Sequence, residues 1–344
     1  MTNITEAFEA QAQSCAYLGS DFNADLLRLA AQNLHDNHPV GAFLHNWPDL
    51  DTFRSGAVAL RWTGALHALV LLGMDPELSA VYPPNTPDKT TLWQAVLHAM
   101  HRHSDHMIDW MASPPQTNEI RRANALIPAF HLIARETGLP FVLSEIGASM
   151  GLNLNWDRFS MEIDGEIWGP ETASVALKPD WRGPLPPKAD ITILERAGCD
   201  LNPLDPKNSD DRLRLLSYIW PDQSTRLENT KHAIALAQKT LYVVHKQDAL
   251  NFLQHRLDPR NGVTRVIYHT IMWQYLSAAD QIRGAEMIEK AGQAATPDAP
   301  LAWLRVEADQ KQDEGAPIML TLWPGGTVRE LGRVDFHGRW VQWN

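Results

Sequence analysis

The sequence contains little cysteine and no excess of positive charge. Only two of its 344 residues are cysteines, Cys15 and Cys199, so we expect no disulfide framework and a reducing, cytoplasmic setting. There are 30 lysines and arginines against 41 aspartates and glutamates, and the formal net charge is −11. This balance argues against electrostatic binding of a nucleic-acid backbone, although a whole-chain count does not detect a local basic groove. We therefore expect no nucleic-acid partner.

No apolar run is long enough to cross a membrane. The longest lies near Gly64 to Met74 and includes His67, whereas a membrane-spanning helix needs about 20 apolar residues. The segment from Met1 to Glu6 has neither the basic nor the apolar region of a secretory signal. We expect no membrane partner, and the sequence leaves the oligomeric state open.

Residues 1–135 are predicted to form an all-helical domain. Leucine and alanine recur there at helical spacing, and prolines interrupt the pattern at Tyr82–Asp88 and Ser113–Glu119. Helices are predicted at Ala24–Leu34, Ala57–Leu72 and Leu92–Met111, followed by one that Thr117 or Asn118 caps and that runs to Gly138.

Four histidines fall on or beside the predicted helix Leu92–Met111: His98, His101, His103 and His106. They form two i,i+3 pairs on different helix faces, and a metal site would also need a carboxylate such as Asp105 or Asp109. A solvated helix surface is the simpler interpretation, so no metal site is predicted.

From residue 136 to residue 344 the pattern predicts an α/β domain. Apolar runs alternate with helical stretches, which indicates a mostly parallel sheet covered on both faces. The strands are predicted at Phe141–Ile146, Ile191–Cys199, Leu241–His245, Val263–His269, Leu301–Val306, Ile318–Trp323 and Val334–Trp343. No helix separates the last two, so they should pair antiparallel around Pro324–Gly326. Residues 159–189, with a hairpin turn at Asp164–Gly165, are interpreted as an insertion.

Small and acidic residues follow the predicted strands. The first strand ends in Glu145-Ile146-Gly147-Ala148-Ser149-Met150-Gly151, the second in Asp200-Leu201-Asn202, the third in Asp248-Ala249 and the fourth in His269. Closely spaced small residues let a backbone turn tightly and let a ligand approach its amides. Parallel strands bring their carboxyl ends to one edge, where α/β folds bind ligands, so these residues predict a single site.

This series of strand ends resembles that of class I S-adenosylmethionine-dependent methyltransferases, whose parallel sheet also ends in an antiparallel pair. The resemblance implies a Rossmann-like fold, S-adenosylmethionine as cofactor and methyl transfer to a small or medium-sized molecule. The residues that would bind the cofactor are Glu145, Gly147, Ala148, Ser149, Gly151, Asp200, Asn202, Asp248 and Ala249, with Gln116, Asn118 and Arg121 closing over its amino-acid end. The catalytic residues would be His269, as the base, and Tyr275, beside the methyl acceptor.

Two features depart from the methyltransferase pattern. Ser149 stands where the family has the middle glycine of its loop. In addition, 49 positions separate Gly151 from Asp200, against about 20 in a dinucleotide-binding fingerprint. A side chain must therefore be tolerated beside the cofactor, and the insertion must lie over the site.

Over nearly its full length the chain also resembles an uncharacterised family of bacterial proteins, a domain of unknown function that brings no activity with it. The segments that carry this resemblance are Leu66–Leu71, Pro114–Glu119, Glu145–Asn155, Gly198–Asp205, Leu215–Gln223, Trp273–Leu276 and Leu322–Gly326.

Two alternatives to methyl transfer stay open. Gly147-Ala148-Ser149-Met150-Gly151 fits the nucleophile elbow of serine hydrolases, with Asp248 or Asp205 as the acid and His269 or His337 as the base. That elbow normally follows several strands, whereas the preceding residues here are predicted to be helical. The third possibility is a methyltransferase-like fold that binds a ligand or partner without turnover.

Overall fold

The computed structural model describes residues 3–48, 57–311 and 314–344, which form two compact units. The first unit contains the described residues up to Thr117 together with Asn208–Lys231, and the second contains Asn118–Lys207 and His232–Asn344. The sequence predicts a domain boundary at residue 135. In the structure the predicted helical stretch 118–135 packs within the second unit, and a later helical segment joins the first.

Helices make up the first unit and alternate with strands in the second. In chain order the described helices are α1 (Ile4–Tyr17), α2 (Asp21–Asn33), α3 (Pro39–His45), α4 (Val58–Leu71), α5 (Pro76–Val81), α6 (Lys89–Arg102), α7 (Ser104–Met111), α8 (Ala123–Thr137), α9 (Ser209–Ser217), α10 (Ser224–Ala237), α11 (Ala249–Gln254) and α12 (Ala278–Gln293). Short 3₁₀ helices lie at Ile120–Arg122, Leu152–Arg158 and Trp273–Tyr275. None of the described helices has both the length and the apolar character needed to cross a bilayer.

The apolar faces of the first unit's helices meet in one core. Phe8 of α1, Leu26 of α2, Trp62 and Leu66 of α4, and Val96 of α6 are all fully buried there. Burial of such large side chains is what stabilises short helices, because their intrinsic helical propensity is marginal in water.

One helix was predicted over Leu92–Met111, but the structure has two, α6 and α7, which are separated at His103. His103 leaves the helical conformation at φ −122° and ψ 30°. Asp75 explains the break, since its buried carboxylate accepts hydrogen bonds from Arg102 and lies 3.1 Å from His103 Nε2. A tertiary contact therefore overrides the helical propensity of the sequence.

The four histidines near this break make separate contacts. His98 lies 2.7 Å from the exposed Glu77 carboxylate, and the His101 ring lies beside that of His38, with 5.1 Å between their centroids. His103 pairs with Asp75, and His106 packs on the Trp110 ring. Within the described ranges, no three His, Cys, Asp or Glu side chains are grouped as metal ligands would be.

The described strands form two sheets. They are β1 (Phe141–Ile146), β2 (Ser160–Ile163), β3 (Glu166–Trp168), β4 (Ala176–Leu177), β5 (Asp180–Arg182), β6 (Ile193–Asp200), β7 (Val243–Lys246), β8 (Thr264–Thr270), β9 (Leu301–Val306), β10 (Ala316–Trp323), β11 (Thr327–Val334) and β12 (Trp340–Trp343). The larger sheet has nine strands in the order β5-β12-β11-β10-β9-β8-β1-β6-β7, and the smaller has the order β3-β2-β4. Strands β7, β6, β1, β8 and β9 are parallel, which confirms an α/β protein with a mostly parallel sheet.

The C-terminal part differs from the prediction in two ways. Val334–Trp343 was predicted as one strand but contributes to two, β11 and β12, because the Asp335 carboxylate accepts the backbone N–H groups of His337 and Arg339 and turns the chain. The antiparallel part therefore runs from β9 to β12 and exceeds the final pair that was expected.

The segment interpreted as an insertion contributes to both sheets. The predicted hairpin at Asp164–Gly165 is confirmed, since it joins the antiparallel strands β2 and β3. Residues 179–187, which contain four prolines, include β5, which pairs parallel with β12 at the edge of the large sheet. Strands β5 and β12 are far apart in the chain, so the local sequence pattern could not predict that they pair.

Candidate functional site

The winding of the large sheet reverses between β1 and β8. From β1 the chain continues to β6 and β7 on one side, and it then returns to β8 and β9 on the other. In open α/β sheets, the crevice outside the carboxyl ends of the strands at such a switch point binds ligands. The candidate site therefore lies where the segments that follow Ile146 and Thr270 meet.

The loop after β1 turns through left-handed conformations. Gly147, Ser149 and Gly151 have φ angles of 70°, 54° and 76°, and only Ser149 places a side chain in this region, which L residues disfavour. The Ser149 N–H donates to the Asp200 carboxylate at 2.9 Å. The first four predicted strands lie in one sheet. The expected proximity of the glycine-rich loop to Asp200 is confirmed by this hydrogen bond.

The sequence also led us to expect that the amides of Gly147, Ala148 and Ser149 face a cofactor. Two of these groups instead donate within the protein, Ala148 N–H to Cys199 O at 2.9 Å and Ser149 N–H to Asp200. Hydrogen bonds to β6 therefore stabilise the loop, and in this state the N–H groups of Ala148 and Ser149 are not available to a cofactor.

Asp200 is half-buried at the end of β6. One carboxylate oxygen accepts the Ser149 N–H, and the other accepts the Asn202 N–H at 2.9 Å. The Asp200 C=O accepts the Gln247 N–H at 3.0 Å, which joins the ends of β6 and β7. Each carboxylate oxygen has a second lone pair, so Asp200 can still accept hydrogen bonds from a ligand.

Asp248 caps helix α11. Its carboxylate accepts the Asn251 N–H at 3.0 Å and also the Asn251 side-chain amide. The Asn251 N–H holds the pKa of Asp248 below its ordinary value, so this carboxyl group is ionised at neutral pH. Asp248 is half-exposed and Ala249, the first helical residue, is buried. The cap role is established, and a part in ligand binding stays a prediction.

The segment after β8 packs against the glycine-rich loop. A Cβ atom added to Gly147 would lie only 2.7 Å from Met272 Cβ, so Met272 fills the space beside Gly147. Ile271 has a φ of 51°, a strained conformation for a β-branched residue. Both carboxylate oxygens of Glu307 lie 3.1 Å from the Met272 N–H, and this contact stabilises the segment.

His269, the predicted base, is fully buried, and both of its ring nitrogens have partners. Nε2 accepts the Trp303 N–H at 3.1 Å, so the proton of the neutral ring is on Nδ1, which donates to Glu307 at 2.6 Å. Trp273 stacks on the imidazole with 4.6 Å between ring centroids. His269 therefore has no free lone pair in this state. Tyr275, the other predicted catalytic residue, is 68% exposed.

Glu145 is buried near the end of β1 beside Tyr268 and Arg122, which were not among the predicted site residues. The Tyr268 hydroxyl lies 3.3 Å from its carboxylate, and Arg122 is close enough to act on it electrostatically. Burial raises the pKa of Glu145 to about 8, although Tyr268 and Arg122 oppose this. Tyr268 lies within a predicted strand and Arg122 at the start of a predicted helix, so no local signal singled them out.

The residues predicted to close over the cofactor have different surroundings. Asn118 Oδ1 accepts the Leu152 N–H at 2.9 Å, so it stabilises the chain just past Gly151. Arg121 Nε lies 3.5 Å from the Glu119 carboxylate, while Arg121 Nη2 is buried without a hydrogen-bond partner. Gln116 belongs to the first unit and is half-buried.

Two buried polar atoms without partners lie in the segment that follows the glycine-rich loop. Asn153 donates from Nδ2 to Glu119 O at 3.1 Å, and the backbone C=O of Asn153 lies 3.4 Å from the Tyr268 hydroxyl. Its Oδ1, like the Oδ1 of Asn155, is buried and unpaired. Such atoms are rare in folded proteins and indicate a place for water or a ligand.

The groups that a serine hydrolase would need have other roles. Asp248 caps a helix, and His269 is paired with Glu307 and Trp303. Ser149 is only 5% exposed, whereas the nucleophile of an elbow stands exposed at the tip of its turn. The left-handed φ of Ser149 suits an elbow, but its burial does not. Of the other predicted partners, Asp205 accepts the Lys207 N–H, and His337 lies in the turn between β11 and β12.

A mostly parallel nine-stranded sheet, with a glycine-rich loop and an acidic residue at its switch point, defines an α/β protein with a candidate ligand site at the carboxyl edge. The chain belongs to the family described as "uncharacterized protein conserved in bacteria (DUF2332)", whose model matches residues 5–343. The full-length family resemblance is thereby confirmed. No curated protein matches the chain.

Proposed function

We propose that this chain is an S-adenosylmethionine-dependent methyltransferase with a Rossmann-like domain, and that it acts on a small or medium-sized molecule. The observation that supports this most is the hydrogen bond from Ser149 N–H to Asp200, which joins the glycine-rich loop after β1 to the acid that ends β6. At a switch point, a glycine-rich loop and an acid at the next strand end are what α/β folds use to bind nucleoside cofactors.

The residues at this edge fit the nucleoside half of the cofactor. Asp200 keeps lone pairs that can accept the ribose hydroxyls, and Asn202 beside it is exposed. Asp248 follows β7, the neighbour of β6, and its half-exposed carboxylate can accept from the adenine amino group. Ala249 leaves room for the ring because its side chain is small.

The amino-acid half of the cofactor fits only after a rearrangement. Met272 fills the space beside Gly147, and the Ala148 and Ser149 amides are engaged. The proposal therefore requires Met272 to leave when the cofactor binds. The strain at Ile271 favours such a movement, since relief of an unfavourable φ angle lowers its free energy. The unpaired polar atoms of Asn153 and Arg121 would then be available to the amino-acid group.

S-adenosylmethionine would supply the methyl group, and the chain would position the acceptor. Tyr275 and Trp273 follow β8 at the same edge, where the exposed Tyr275 ring offers an apolar wall. His269 can serve as the base only if it loses the Trp303 hydrogen bond. The excess of negative charge favours a small acceptor over a nucleic acid. Both described cysteines are free and buried, which supports a cytoplasmic location.

Titration calorimetry of the full-length protein with S-adenosylmethionine tests the proposal. We expect Asp200→Asn to weaken binding about tenfold or more, because a hydrogen bond to a charged group contributes about 1.5–3 kcal/mol. Asp164→Asn, in the exposed turn between β2 and β3, is the matched control and should bind like wild type. Folded wild-type protein that takes up no cofactor at millimolar concentration would refute the proposal.

The second candidate is a protein that binds the cofactor without turnover. It is favoured by the hydrogen bonds of His269 with Glu307 and Trp303, which leave this residue unable to act as a base in this state. Incubation with labelled cofactor and a metabolite extract separates the two. A methyltransferase should pass label to an acceptor, and His269→Ala should lose this transfer if His269 is the base. Cofactor binding with no transfer by wild type would establish the binding protein.

A further inference from the structure

The segment interpreted as an insertion builds a groove against helix α8. Two cavities, of about 350 Å³ and about 270 Å³, share His131, Gly169, Ala189 and Asp190 as wall residues, so they lie side by side. All of their walls belong to the second unit. We call the two cavities together the α8 groove, and their combined size is that of a small-molecule site.

The α8 groove lies at the amino ends of the strands. Phe141, the first residue of β1, donates its N–H to Thr192 O at 2.8 Å, and the groove residues 189–191 come directly before Thr192. Asp200 stands at the opposite end of β6. The groove is therefore separate from the candidate site at the carboxyl edge of the sheet.

The spacing of residues along α8 and one glycine shape the groove. Ile127 and His131 are four positions apart on α8, so they lie on the same helix face, and both line the smaller cavity. Gly169 has a φ of 91°, and a Cβ there would lie 2.1 Å from Phe159 O. Glycine is needed because any side chain at this position would hold the chain after β3 away from Phe159.

Much of the wall is aromatic or aliphatic. Trp156 and Phe159 are buried rings, and they line the smaller cavity together with Ile127 and Ile191. Phe130 stacks on Trp156 with 4.1 Å between ring centroids and 13° between ring planes, which fixes the orientation of the Trp156 ring. Rigid walls of this kind favour a ligand that contains an aromatic ring.

Asp190 makes the groove negative. The Asp157 carboxylate is already neutralised by Arg196, at 2.7 Å. Lys188 is likewise paired, with Glu166 at 3.0 Å. Asp190 is exposed, and it forms neither an ion pair nor a hydrogen bond within the described ranges. An ammonium group is the natural complement of such a carboxylate.

His131 supplies a hydrogen-bond donor in a fixed position. Its Nδ1 accepts the Ala189 N–H at 3.1 Å. Burial lowers the pKa of His131, and the charge of Lys188 acts in the same direction, so the ring is neutral at neutral pH and carries its proton on Nε2. In the part of the chain that the structure describes, Nε2 has no hydrogen-bond partner and is not enclosed. This N–H can therefore donate to a ligand.

We propose that the α8 groove binds a small aromatic amine. The ammonium group pairs with Asp190, the ring packs on Trp156 and Phe159, and a neutral oxygen of the ligand accepts the Nε2–H of His131. This binding does not depend on the proposed methyl transfer.

Calorimetric titration of the full-length protein with tyramine tests the groove, because tyramine combines an ammonium group, an aromatic ring and a hydroxyl oxygen. Two matched ligands each lack one of these groups. Tyrosol has a hydroxyl in place of the ammonium group, and phenethylamine lacks the ring hydroxyl. Each should bind wild type about fivefold more weakly than tyramine, or worse.

Three variants assign these differences to residues. Asp190→Asn should bind tyramine about fivefold more weakly and tyrosol as wild type does. His131→Asn keeps an acceptor for the Ala189 N–H but has no Nε2–H, so it should bind tyramine and phenethylamine equally. Asp164→Asn changes an exposed carboxylate that lines neither cavity, and it should bind all three ligands like wild type.

Thermal unfolding gives a readout that a structural role of Asp190 would not produce. Without ligand, Asp190→Asn should unfold at the same temperature as wild type, because Asp190 is exposed. Saturating tyramine should stabilise wild type more than Asp190→Asn. Failure of tyramine to saturate the wild-type protein at millimolar concentration, or equal affinity of wild type for tyramine and tyrosol, overturns the proposal.

Discussion

Glu145 is a buried carboxylic acid whose protonation should be visible in the stability of the protein. Burial raises its pKa from 4.5 to about 8, so in this range the folded state holds a proton that the unfolded chain has released. The stability that this group contributes is fully present below pH 4.5 and is lost as the pH rises through about 8.

We therefore expect wild type to lose stability relative to Glu145→Gln by about 1.4 kcal/mol for each pH unit in that window. Urea unfolding of both proteins at several pH values measures the difference. If the difference in free energy of unfolding between wild type and Glu145→Gln stayed constant over this pH range, a raised pKa at Glu145 would be contradicted, since glutamine cannot titrate.

Gly147 and Met272 form a contact that a double-mutant cycle can measure. An alanine Cβ at Gly147 would lie 2.7 Å from Met272 Cβ, and its φ would be 70°. We expect Gly147→Ala to lower the free energy of unfolding by about 1–3 kcal/mol, from overpacking and from the positive φ. Met272→Gly should recover the overpacking share.

Gly138→Ala is the matched control for this cycle, because Gly138 has a φ of 65° but no atom within 4 Å of an added Cβ. It reports the effect of the positive φ alone and should be the milder change. If Gly138→Ala and Gly147→Ala lowered the stability equally, Met272 would not be packed against Gly147 in solution.

At the scale of elements, Asp75 connects the start of α5 to the junction of α6 and α7. Its carboxylate accepts the Leu78 N–H at 2.9 Å and bonds the Arg102 guanidinium, although it is only 1% exposed. Asp75→Asn keeps the helix cap but loses the charge that pairs with Arg102. We expect the free energy of unfolding to fall by about 1–3 kcal/mol.

Asp88→Asn provides the comparison for Asp75. Asp88 caps α6 from an exposed position and accepts the Thr91 N–H at 2.9 Å, and asparagine is an equally good cap. The free energy of unfolding of Asp88→Asn, measured with urea, should equal that of wild type. A loss as large as that of Asp75→Asn would mean that capping, and not the pairing with Arg102, stabilises the junction.

The elements that sequence predicts well are those fixed by local pattern. Phe141–Ile146 and Leu301–Val306 have the predicted bounds because they are buried apolar runs. The acid at Asp200 and the glycine-rich loop were found because strand ends are recognisable. The break at His103, the pairing of β5 with β12 and the contact between Met272 and Gly147 could not be found, since each depends on residues distant in sequence.

In the whole molecule, helix α8 belongs to the second unit. Phe130 of α8 is fully buried, stacks on Trp156 at 4.1 Å and contacts Phe141 and Tyr268 of the sheet. Fragments of residues 118–344 and 136–344 both carry residues 208–231 of the first unit, so they differ in α8: the longer one keeps this helix, and the shorter one, cut at the boundary that the sequence predicts, exposes the face that Phe130 covers.

We expect the longer fragment to show cooperative thermal unfolding by circular dichroism and the shorter one to lack it, because loss of a buried aromatic side chain alone removes about 3–5 kcal/mol. Equally cooperative unfolding of both fragments would show that α8 is not part of the second unit's core.

We propose that the carboxyl edge of the sheet binds a nucleoside cofactor beside Asp200. A crystal structure of the full-length protein with S-adenosylhomocysteine, the demethylated product of the proposed cofactor, tests it most directly. We expect the ribose hydroxyls to be hydrogen-bonded to Asp200, the adenine to lie near Asp248, and Met272 to be withdrawn from Gly147. Product bound elsewhere, or bound at this edge with no contact to Asp200, would contradict it.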